Sequence, residues 1–202
     1  MHCLKLVRDF VKSCTKTFDS SHDSEHAERV LRLALEIAEA TYPSLDASII
    51  TVAALLHDVC DHKYKGATGT ETLRDFVATQ TGMDRASDIM DIIDNISFSK
   101  QDKGLDKDLG EDLTPYLVCI RDADRLEAIG ESGLQRCEQF TLARGGHIPR
   151  DVVQHCKDKL LRLYSEHFII TDYARKLALP LHQHVESYVL QMEQVYGCKL
   201  AP

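Results

Sequence analysis

Residues 52–58 read Val-Ala-Ala-Leu-Leu-His-Asp. Five consecutive apolar side chains are stable only inside a core. They end on an imidazole and a carboxylate, and burying a lone ionised carboxylate costs on the order of several kcal/mol, comparable to the net stability of a domain. A bound cation is one arrangement that makes this placement favourable, because both side chains then serve as ligands. The run therefore requires a buried helix with partners gathered at its polar end.

The rest of the chain reads as helix after helix. Leu4 to Phe18 is predicted as a first amphipathic helix, with Leu4, Val7, Val11 and Cys14 on one stripe. Residues 19–24 are a polar break rich in N-cap residues. A second helix runs from Glu25 to Thr41 and stops at Tyr42-Pro43; Val30, Ala34, Ile37 and Ala38 form its stripe, and His26 shares that face. Asp46 caps a third helix, Ala47 to about His62, followed by a loop over Lys63–Gly69. Further helices are predicted over Glu71–Thr81, Asp84–Ile96, Thr114–Ile129, Ser132–Ala143, Arg150–Ser165 and Asp172–Tyr196. Ser99–Asp112 and Ala143–Pro149 read as loops, and no period-2 strand is evident. The expectation is one all-α, compact multi-helix domain spanning residues 1–202.

Composition removes several classes of function. A formal charge of −8 argues against a surface built to grip nucleic-acid backbone. The longest apolar stretches are too short to cross a bilayer. Seven scattered cysteines without a CxxC pair or a signal-peptide pattern read as reduced, small buried side chains in the cytoplasm. No GxxxxGK[ST] loop or GxGxxG is present, so any phosphate would be held by side chains and a metal.

Three apolar segments end on, or carry, imidazole or carboxylate: His26 in the second helix, His57-Asp58 in the third, and the run 115–120 that closes on Arg121-Asp122-Ala123-Asp124-Arg125. Such a mixed N/O set suits a divalent first-row metal. Spacing does not choose the last ligand. Asp122 aligns with Val118 and Leu126, whereas Asp124 aligns with Leu117, Ile120 and Ala128. Adjacent helical residues point about 100° apart, so His57 and Asp58 share one ion only if it lies between their directions.

The ordered set His22-Asp23-x-x-His26-x-x-Arg29-Val30, Leu55-Leu56-His57-Asp58-Val59, Ile96-Ser97-Phe98-Ser99, residues 121–130, and Gln154-His155-x-x-x-Lys159 resembles the small single-domain HD-domain phosphohydrolases. The resemblance covers about residues 22–188, and it implies metal ligation by His26, His57, Asp58 and Asp124, with Asp122 as the alternative last ligand. It also implies hydrolysis of a small phosphorylated compound, a nucleotide above all, by metal-activated water. One departure is that the segment after Gly145-Gly146 is shorter than usual in such proteins. Dinuclear relatives insert extra histidines between the HD pair and the last Asp. Here residues 63–146 contain none and His62 is poorly placed, which points to one ion. Mn²⁺ is favoured for an N₂O₂ set, with Ni, Fe, Co, Zn or Mg admissible.

Asp61 lies four residues after His57 and either serves the attacking water or hydrogen-bonds His57. Arg29, Lys63, Lys100, His155 and Lys159 are the cationic candidates for phosphate, with Asp122 beside the centre. Two other functions compete: a non-catalytic metal or nucleotide-binding module, which would be expected to have lost a ligand, and a di-iron oxygenase, disfavoured by the missing histidines.

Overall fold

The computed structural model describes residues 2–16, 18, 23–60 and 67–197. Among them no β-strand occurs, and the all-α expectation holds. The chain divides into two compact units, 1–123 and 124–202.

The first unit contains α1 (His2–Cys14), α2 (Ser24–Thr41), α3 (Ala47–Leu56), α4 (Thr70–Thr81), α5 (Met83–Asn95), the short α6 (Phe98–Asp102) and most of α7 (Gly110–Ala128). It is organised around α3, which packs against α1, α2 and α5. Seven of the ten α3 residues are buried, and only Ala47, Ser48 and Thr51 in its first half reach solvent. Asp46 starts it: one carboxylate oxygen accepts from the Ser48 N–H at 2.8 Å and from the Ser48 hydroxyl at 2.6 Å. The Asp46 N–H in turn donates to the Tyr116 hydroxyl at 3.0 Å, tying the start of α3 to α7. α2 buries Val30, Ala34, Ile37 and Ala38, as its stripe requires, along with Ala27, Leu31 and His26. The Phe10 and Phe76 rings stack at 3.9 Å between α1 and α4.

Several boundaries of the first unit depart from expectation. α1 stops at Cys14, where the buried Thr15 turns its hydroxyl back onto the Val11 carbonyl at 2.9 Å. α3 stops at Leu56 rather than near His62. The His57 imidazole takes the Ala54 carbonyl, and the Val59 N–H reaches back only three residues to Leu56. The expected loop 99–112 contains α6 and the first turn of α7. That turn begins at Gly110, whose N–H is held by Asp108 at 2.9 Å, with Glu111 and Asp112 favourably placed at the helix start. Pro115 is accommodated close to that end.

The second unit contains the end of α7, then α8 (Gly130–Ala143), α9 (Arg150–His155), a π turn (Cys156–Leu160), α10 (Leu161–Ser165) and α11 (Asp172–Tyr196). α11 packs on α8, the π turn and α10. The expected helix 150–165 is thus interrupted; its apolar spacing carries no sign of a π turn. Gly130 separates α7 from α8 with φ +77°, and a Cβ there would lie 2.8 Å from Leu181 Cδ2. The positive φ requires the glycine, and the Leu181 methyl would have to shift to admit a Cβ.

Candidate metal centre

Three of the sequence candidates meet in the first unit. His26 is the third residue of α2, and the residue is 4% exposed. Asp23 begins this helix in an extended conformation, with its carboxylate accepting from the Glu25 N–H at 3.0 Å and the His26 N–H at 2.8 Å. His57 and Asp58 lie just beyond the last turn of α3 and not within it. The His57 backbone itself is still helical, with φ −58° and ψ −30°, so a shared ion would lie between the two side-chain directions.

The His57 Nε2 lies 3.0 Å from Asp58 Oδ2, and the His26 Nε2 lies 3.5 Å from the same oxygen. The two rings meet edge to face with centroids 5.3 Å apart. One donor atom from each of the three residues falls within 4.8 Å of the others. Metal–ligand bonds of about 2.0–2.2 Å put neighbouring donors about 3.0–3.5 Å apart, so the spacing fits one ion.

The protonation pattern gives a second test of fit. His57 Nδ1 lies 2.8 Å from the Ala54 carbonyl, which can only accept, so Nδ1 carries the proton. A neutral His57 then turns the Nε2 lone pair towards a carboxylate oxygen. Two acceptors at 3.0 Å repel unless a cation, a proton or a metal ion, lies against both. A backbone carbonyl fixing the far nitrogen is also how metal-binding imidazoles are commonly oriented. The donor set and its spacing therefore suit a divalent ion.

The remaining candidates are distributed differently. Asp122 is fully buried on α7 in the first unit, and its charge, after burial itself, helps push the Cys119 thiol up to about 12. Asp124 is half-buried on the same helix and opens the second unit. Arg29 is half-buried on α2. The Lys100 ammonium donates to the Asp94 carbonyl at 2.7 Å, across the end of α5. His155 is exposed at the end of α9 and Lys159 half-buried in the π turn, both in the second unit. Asp61, Lys63, His22 and His62 lie outside the described residues.

Sequence reasoning assigned no role to two groups that bond to the candidate ligands: Asp23, which accepts from the His26 N–H, and the Ala54 carbonyl, which takes the His57 ring. The six polar residues 19–24 advertise a helix start without singling out which caps it. It also left Arg121 without a role. Its buried guanidinium forks from the Asn95 carbonyl to Asp106, at 2.9 and 2.8 Å, and fastens the loop after α6.

A family model for the HD domain matches residues 23–129, more than half of the chain. The uncharacterized protein YpgQ of Bacillus subtilis (strain 168) is 34% identical over 194 residues, covering 93% of this chain and 91% of the relative. The crystal structure of Bacillus subtilis YpgQ in complex with ADP matches with a TM-score of 0.76 at 29% identity, over 96% of this chain and 98% of that one. The crystal structure of an HD-superfamily hydrolase from Bacillus thuringiensis matches with a TM-score of 0.69 at 26% identity, over 96% and 97%. The protein belongs to the HD-domain family. Among the described residues, no helix is long and apolar enough to cross a membrane.

Proposed function

We propose that the protein is a metal-dependent phosphohydrolase acting on a small phosphorylated compound, a nucleotide in the first instance. The observation that carries this reading is the convergence of His26 Nε2 and His57 Nε2 on one Asp58 oxygen. Support also comes from the hydrolase name of the Bacillus thuringiensis relative and from the ADP held by YpgQ. A divalent ion at this centre would lower the pKa of a bound water and polarise a phosphoryl oxygen. The chain's own part is to present two imidazole lone pairs and one carboxylate in fixed directions. Ala54 sets the tautomer of His57, and the buried flanks of α2 and α3 exclude solvent behind the ligands.

Asp124 is retained as the fourth ligand on the sequence motif, and Mn²⁺ as the favoured ion on the donor set. Asp61 is proposed to orient the attacking water or to hold His57. Arg29 and Lys63 are proposed phosphate contacts beside the ligand-bearing segments, with Lys100, Asp122, His155 and Lys159 proposed on the motif order alone. Because the Lys100 ammonium is engaged with a helix end, it serves phosphate only by leaving the Asp94 carbonyl. A cytoplasmic location is proposed on the cysteine usage alone.

Elemental analysis of the purified protein should find about one divalent ion per chain, and a panel of nucleotides with added Mn²⁺ should release phosphate or pyrophosphate. Asp58→Ala should lose both ion and activity. A full complement of metal in that variant would sink the ligand assignment. Metal binding with no turnover of any nucleotide or sugar phosphate would favour a binding module.

A further inference from the structure

We infer that Asp23 is a positioning residue for the metal centre, holding His26 at the ion through the first turn of α2. The inference rests on the metal-centre reading above. The first N–H groups of any helix lack an intrahelical acceptor, and the third residue of α2 is His26 itself. Asp23 satisfies that turn: its carboxylate takes the Glu25 and His26 N–H groups, and its own carbonyl takes the Ala27 N–H at 3.2 Å. Its φ of −81° and ψ of 177° place it outside the helix, so the carboxylate folds back over the helix end.

The consequence for the ion is geometric. The His26 ring projects from this first turn to within 3.5 Å of Asp58 Oδ2. A metal ligand must stay within about 0.2 Å of its bond length, whereas an uncapped first turn frays by far more. From Ala27 onward α2 is pinned by buried side chains, including Val30, Leu31 and Ala34. Loss of the cap therefore loosens the ligand's own turn and leaves the rest of the helix in place.

The test measures Mn²⁺ affinity by competition with a chromophoric chelator for wild type, Asp23→Asn, Asp23→Ser, Asp23→Gly and Asp23→Ala. Affinity should follow the order of N-cap quality: Asn and Ser near wild type, Gly intermediate, Ala weaker by about tenfold or more. A purely structural cap would lower thermal stability in that order and leave Mn²⁺ affinity, measured well below the transition, unchanged. Such a result overturns the inference. So does failure of Asn as complete as that of Ala, because it would assign the effect to charge. If Asp23→Ala does not fold, the Asn–Gly comparison decides. Absence of Mn²⁺ binding in wild type and all variants would instead refute the metal-centre reading.

Discussion

At the scale of single residues, a carboxylate is informative when something specific holds its charge. Asp46 is such a case. The Ser48 hydroxyl, then the Ser48 N–H, and to a smaller degree Arg85 at 3.1 Å, lower its pKa below the usual 3.8 against a small opposing effect of burial. A lowered folded-state pKa means the ionised cap stabilises the fold above the unfolded value and loses that contribution as pH falls through the folded one. Asp46→Ala should cost about 1 kcal/mol at neutral pH. The difference from wild type should shrink as pH drops below the ordinary carboxylate range. Urea denaturation of both proteins at neutral and acid pH would check this; a difference that grows on acidification would contradict it. The same logic made His57 and Asp58 legible in sequence, since polar groups closing an apolar run need a partner. Asp23 escaped because its neighbours Asp19, Ser20, Ser21 and Ser24 are equally good caps on paper.

At the scale of elements, the helices were legible from their apolar spacing, while their ends were decided by contacts that spacing does not encode. α3 ends at Leu56 because an imidazole claims a carbonyl, and the π turn at Cys156–Leu160 leaves the apolar pattern unaltered. The break between α7 and α8 gives a structural role to Gly130, the last residue of the quoted stretch 121–130. Gly130→Ala places a Cβ 2.8 Å from Leu181 Cδ2 and forces a residue with φ +77° to carry a side chain. The backbone part alone costs about 1–2 kcal/mol, and displacing the half-buried Leu181 side chain adds about 1 kcal/mol. Leu181→Ala in the same chain should recover the packing part and leave the backbone part. A double-mutant cycle in urea should therefore give a coupling of about 1 kcal/mol or more. Strict additivity would show that the close approach is relieved elsewhere.

At the scale of the whole molecule, an ion at the proposed centre would couple binding to folding. His26, His57 and Asp58 belong to two helices that pack directly on one another, α2 and α3 with its following turn. An ion held by all three binds the folded first unit and has no equivalent site in an unfolded chain. Binding must then stabilise folding by RT ln(1 + [L]/Kd), about 2.7 kcal/mol when free metal is a hundredfold above Kd. For a chain of this size that corresponds to a rise in Tm of about 5–10 °C. Calorimetry with and without Mn²⁺ should show the shift, a chelator should reverse it, and Asp58→Ala should abolish it. Amide exchange adds the location: slowing beyond the global stabilisation should be greatest in α2, α3, the turn at His57–Asp58 and α7 around Asp124. An equal Mn²⁺ shift in the Asp58→Ala protein would place the stabilising ion elsewhere on the molecule.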